Sequence, residues 1–195
     1  MIDEYYMPKW LGGNGDFTIS FREYPYAKHA YQLKEYSLVT MGYHVGGLIN
    51  HFINPRRNDF LEMALHHIVS LYLFGGYYLF NAWETGAVVA LLHDIADITA
   101  NLVKLLAESK FKTSTAVVFV IHMIVWFYTR LFLLPIFIYQ IWMQGEEVDK
   151  LFGNWIVKPF FCYLLFCMFT LHAYWFMMFV KMLQKYVSTG STEDQ

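Results

Sequence analysis

Ionisable side chains recur in a stretch otherwise apolar enough for a bilayer. Between Asp59 and Lys104 the chain carries His66, His67, Glu84, His93, Asp94 and Asp97. A charged group at membrane depth costs about 2.5–3.5 kcal/mol on insertion scales, so such groups face a bundle interior or a wet cavity and mark a functional site by default. On a helix His93 and Asp97 are i,i+4 neighbours, and Asp94 and Asp97 are i,i+3 neighbours, which crowds one face. His66 and His67 lie about 100° apart around a helix, which predicts one ring facing a cavity and the other packing at its edge. The chemistry within reach is acid–base and nucleophilic. A histidine can take the proton of an attacking group or itself attack an acyl carbonyl. A carboxylate on its second ring nitrogen would fix the tautomer. Asp94 and Asp97, so close together, are candidates to share one proton.

Each of these residues also has a plainer reading. His66 and His67 could hydrogen-bond across a helix bundle. Asp94 and Asp97 could pair with Arg130 or His172. Arg130 reads as an interfacial or span-break anchor, His122 and His172 as packed histidines, and Glu84 as a solvated group at a helix junction. Histidine with Asp and Glu would suit zinc or non-haem iron. There is no HExxH, however, and the eight histidines are scattered, so no metal is expected. A proton or ion pathway would use the same buried groups.

The elements that must position these residues read as helices. Apolar runs predict helices over 33–53, 59–82, 85–108, 115–128, 131–143 and 155–187, about six in all, with both termini on one side of the membrane. The first is weak: His44, Asn50 and His51 interrupt it, while Gly42, Gly46 and Gly47 suit close helix packing. Asn54-Pro55 ends it, and Asn58 is the expected N-cap of the second, with Glu62 in its first turn. The run 115–143 is longer than the roughly 20 residues one crossing needs. A sharp break near Arg130 and Pro135 is therefore expected to split it. Pro159 suits the first turn of the last helix.

Residues 1–34, with turn signals at Gly12-Gly13-Asn14-Gly15 and Tyr24-Pro25, read as an interfacial lead-in suited to the headgroup belt. Residues 35–187 form the transmembrane domain, with polar loops at 108–114 and 144–153, and 188–195 are a polar tail. Composition agrees. The 195 residues are 57% hydrophobic, and only 15% are charged, against about 25% in a soluble domain. A net charge of −2 gives no footprint for nucleic acid. Cys162 and Cys167, five residues apart in an apolar run, are expected as packed thiols without a disulfide. The first ten residues lack the pattern of a cleavable secretory signal.

The spaced set Arg56, Arg57, Asp59, Phe60, His66, His67, Asn81, Gly86, His93, Asp94, Asp97 and Lys104 resembles the Lag1 motif of the TLC family, and within that family it is most similar to the ceramide synthases. Tyr128 to Pro135, Leu171-His172 and Trp175 resemble further family patterns. Glu84, Ala96 and Asn101 depart from it, standing where the family has Arg, Ser and Glu. The resemblance implies an all-α integral membrane protein, a TLC-type barrel of about six transmembrane helices. It implies transfer of a fatty acyl group from acyl-CoA to a sphingoid-base amine, with acyl-CoA as co-substrate and no other cofactor. His66 or His67 would be base or nucleophile, His93, Asp94 and Asp97 their partners, and Asn81, Arg130 and His172 substrate-binding residues. An endoplasmic-reticulum membrane is implied, with a mitochondrial or other organelle membrane as alternative. Family members outside the ceramide synthases supply a second expectation: a non-catalytic lipid-binding protein or an accessory subunit of a larger membrane complex. A homodimer is open on either reading.

Overall fold

A computed structural model describes Lys9 and residues 31–55, 59–109, 111–144 and 157–189. The lead-in with Trp10 and Tyr24-Pro25, the motif residues Arg56 and Arg57, the expected cap Asn58, most of the loop 144–153 and the tail after 189 lie outside the described residues.

Among the described residues every regular element is helical. They are α1 (Tyr31–Ile53), α2 (Phe60–Leu79), α3 (Trp83–Ala107), α4 (Lys112–Trp126), a π-helical segment (Phe127–Leu133), α5 (Leu134–Gln144) and α6 (Val157–Thr189). Three helical stretches are long and apolar enough to cross a membrane: Trp83–Ala107, Lys112–Met143 and Lys158–Ser188. Large apolar side chains such as Ile124, Phe132, Tyr163, Phe166 and Met177 stand exposed on them. Surfaces of that kind are unstable in water and ordinary in lipid, so the chain is a membrane protein.

The expected break near Arg130 is not a break. The chain passes from α4 through the π-helical segment into α5 without reversing, as one apolar helix of 32 residues. The six helices expected from the apolar runs are thus five continuous rods among the described residues. The local chemistry accounts for a widened turn in place of a stop. Pro135 has no N–H and crowds the carbonyl four residues back, and Thr129 Oγ1 donates to the Val125 carbonyl at 2.8 Å, a back-bond that bends helices. A π turn absorbs both perturbations while keeping the helix running. At the start of α2, Asp59 holds the N-cap position without a side-chain capping bond.

The helices fall into two compact units. The first comprises Met1–Leu91 with Ile136–Met168, the second Leu92–Pro135 with Phe169–Gln195. In the first, α1 packs on α2. Phe74, Tyr77 and Ala90 form a buried cluster against which Tyr36 and Ala82 pack. A Cβ on Gly86 would run into the Tyr77 ring, so the motif glycine is required for this close approach. At the turn between α2 and α3, Asn81 has φ 57°, a left-handed conformation that Asn tolerates and branched residues do not. In the second unit, the turn after α3 is tied by Thr115 Oγ1, which donates to the Leu106 carbonyl at 3.0 Å. Cys162 and Cys167 form no disulfide.

Candidate functional site

In the first unit, α1 and α2 bring four histidines together. Residues 44, 47 and 51 recur at i, i+3 and i+7, the spacing of one helix face. At the middle position Gly47 leaves room: a Cβ there would stand 2.9 Å from His67 Cε1. The His67 ring sits 6.4 Å from His44, 6.0 Å from His51 and 5.6 Å from His66, centroid to centroid. The His66 ring is 6.5 Å from His44. The adjacent pair thus does not diverge; both rings reach the same α1 histidine. His44 stacks on Phe74 at 4.6 Å and His51 on Phe60 at 4.4 Å. His51 Nε2 donates to the Phe60 carbonyl at 2.9 Å, which places the proton of that ring on Nε2. His67 Nδ1 is buried and makes no hydrogen bond among the described residues.

In the second unit the polar residues are organised by Arg130, on the π-helical segment and only 2% exposed. One arm of its guanidinium, Nη2, forms an ion pair with Asp97 Oδ1 and donates to the His93 carbonyl at 3.0 Å. The other arm, Nη1, donates to His172 Nε2 at 3.1 Å. Because a guanidinium has no acceptor, this bond fixes His172 as a neutral imidazole protonated on Nδ1. The guanidinium carbon lies 4.1 Å over the Trp126 ring, within cation–π range. Trp126 Nε1 in turn donates to the His172 carbonyl at 3.2 Å. His93 and His172 face each other at 4.9 Å. Beside this set, Thr99 Oγ1 donates to the Ala96 carbonyl and contacts His122 Nδ1, both at 2.8 Å. Its one proton being used, His122 must donate.

Arg130, expected as an interfacial or span-break anchor, is the buried centre of the second unit's polar network. Asp97 is bound to its guanidinium, one of the pairings the sequence allowed. His93, Asp94, Asp97, Arg130 and His172 belong to the second unit. His66 and His67 belong to the first. Asn81 occupies the α2–α3 turn, where its backbone conformation gives a structural reason for its type. Glu84 is half-buried in the first turn of α3, where a negative charge complements the helix dipole. Ala96 is fully buried and Asn101 exposed. The functional reading of the sequence missed His44 and His51. Their seven-residue spacing was visible but counted only as interruptions of an apolar run. Among the described residues, no three His, Cys, Asp or Glu side chains are placed to hold a metal ion.

Similarity to known proteins bears on this geometry. A family model described as the TLC domain matches residues 3–181. Ceramide synthase 4 of Mus musculus is 31% identical over 190 residues, covering 97% of this chain and 47% of that protein. Ceramide synthase hyl-2 of Caenorhabditis elegans is 24% identical, over 92% of this chain and 57% of that protein. Sphingosine N-acyltransferase lac1 of Schizosaccharomyces pombe is 26% identical, over 96% of this chain and 50% of that protein. The chain spans about half the length of these curated relatives.

Proposed function

We propose that this chain, which belongs to the TLC domain family, is a ceramide-synthase-like acyltransferase of an internal membrane, the endoplasmic reticulum by kinship. Its substrates on this reading are a fatty acyl-CoA and a sphingoid base, and it needs no further cofactor. The supporting observation is the pairing of His66 and His67 with α1 in a chain similar to proteins named for this reaction. α1 and α2 would join the three apolar spans in a TLC-type barrel.

The reaction needs a proton acceptor. The sphingoid amine is mostly protonated in water and attacks only after losing a proton. A neutral imidazole of His66 or His67 would take that proton as the amine nitrogen bonds to the thioester carbon. The carbon–sulfur bond then breaks, and the CoA thiolate leaves and takes up the second proton that the nitrogen sheds as the amide forms. Alternatively the imidazole would attack first, expelling the CoA thiolate, and then pass the acyl group to the amine, which frees the ring again. We assign Asp97, Arg130 and His172, with His93 and Asp94, to holding charge and orienting substrate, and Asn81 to shaping the turn at which α3 begins.

The test is acyl transfer by the purified full chain in detergent, with sphinganine and acyl-CoAs of several lengths, read by mass spectrometry of the amide. Turnover that disappears in His67→Ala and Asp97→Ala is expected. Turnover unaffected by both substitutions would sink the assignment.

One observation favours a second reading. The Arg130 network satisfies its charges internally, as a structural tie would, and a non-catalytic subunit of a membrane complex would need nothing more. Migration in a large native assembly, with no turnover from the purified chain, would select that reading.

A further inference from the structure

We propose that His44 is a positioning residue for His67, orienting the imidazole by ring packing where a carboxylate would otherwise do so; this rests on the acyltransferase reading above. A reactive histidine needs its ring held in one orientation, and the common device is a carboxylate on the second nitrogen. Here His67 Nδ1 is buried without a hydrogen bond among the described residues, so that device is missing at this nitrogen. What surrounds the ring instead is one face of α1. His44 meets it edge-on at 6.4 Å with an interplanar angle of 64°, and His51 lies tilted at 6.0 Å. Gly47, between them, keeps open the space that His67 Cε1 fills.

The two flanking histidines are themselves fixed. His51 is held by its bond to the Phe60 carbonyl and its stack on the Phe60 ring. His44 is stacked on Phe74 with an interplanar angle of 26°, and Phe74 is buried edge-on to Tyr77 at 5.4 Å. His44 therefore transmits the rigidity of the core to the His66–His67 pair, and edge-to-face geometry is the arrangement aromatic rings prefer. The part that acts is the flat ring. A phenyl group should replace it and a methyl group should not.

The experiment compares the wild-type full chain with His44→Ala, His44→Phe and His67→Gln. It measures kcat and KM for acyl transfer together with thermal unfolding in detergent. His44→Ala should lower kcat about 10- to 100-fold, the range expected of a misplaced reacting group, with KM and the melting point unchanged. His44→Phe should restore kcat. A wild-type rate for His44→Ala beside an inactive His67→Gln would overturn the proposal and leave the acyltransferase reading standing. So would a His44→Phe rate no better than that of alanine. Should no variant turn over, that reading has failed, and the positioning role is read from the His67 ring itself. In chains carrying ¹³C-labelled histidine Cε1, the His67 signal, assigned by its loss in His67→Gln, should move or broaden in His44→Ala and return in His44→Phe. An unmoved signal in His44→Ala would also overturn the proposal.

Discussion

The two polar regions of this molecule are built on opposite plans. In the second unit a buried guanidinium is tied to a carboxylate, a backbone carbonyl and an imidazole, and capped by an indole face. Charge-assisted bonds of this kind are about twice as strong as neutral ones, and they tie both ends of the guanidinium although its buried Nε makes no hydrogen bond among the described residues. In the first unit four imidazoles meet ring to ring at 5.6 to 6.5 Å, and the buried nitrogen of His67 is left out of any hydrogen bond among the described residues. A group held in an ion pair is poorly suited to exchange a proton. A packed neutral ring with an open nitrogen is well suited to it. The contrast assigns stability chiefly to Arg130 and chemistry chiefly to His66 and His67.

The strongest way to break that assignment is Arg130→Ala. Removing one partner of a buried ion pair leaves the other uncompensated, and the typical cost is about 3–5 kcal/mol. Part of the Asp97 charge is relieved by solvent, since its side chain is 48% exposed, so the lower end of that range applies. The variant should unfold at a distinctly lower temperature in detergent, whereas His67→Gln should barely move the melting point while abolishing turnover. Equal melting shifts in the two would erase the distinction.

Next in size is Thr99→Val. The substitution keeps the shape but removes the hydroxyl that accepts from His122 Nδ1. A buried donor left alone costs about 1–3 kcal/mol. His122 is 3% exposed, so water offers little relief. The melting point should fall by less than in Arg130→Ala, with kcat retained in the folded fraction. A melting point equal to wild type would show the second unit less tightly bonded than its geometry indicates.

Much of this was legible in the residue pattern, and what was not has identifiable physical causes. The α-helices were readable because apolar runs of about 20 residues bounded by Asn54-Pro55 and by Pro159 have few other solutions. The polar cluster was readable because ionisable groups in such runs need partners, and pairing of Asp97 with Arg130 was among the alternatives the sequence allowed. That this pairing prevails is a tertiary fact, since 33 residues separate the two and no periodicity joins them. The π turn was misread because Pro135 signals only that a regular helix cannot continue, and a widened turn meets that condition as well as a break does. The α1 histidines escaped notice because their partners lie on another helix. Their shared face was in the sequence; the ring it receives was not.

The smallest expected change in stability gives the sharpest test. In Gly47→Ala, alanine at a helix-interior position gains about 1 kcal/mol over glycine. The new methyl, however, would stand 2.9 Å from His67 Cε1, closer than real contacts allow. What must yield is the tip of a side chain and not backbone, so the strain is modest and the two effects nearly cancel. The melting point should stay within a few degrees of wild type. The His67 ring must nonetheless move, and it is the one ring whose orientation the proposed chemistry depends on. A melting curve like wild type combined with a turnover rate reduced about tenfold or more, as for a displaced reacting group, is the expected pair of results. Full activity at an unchanged melting point would mean that His67 tolerates displacement, and would move the proton acceptor to His66.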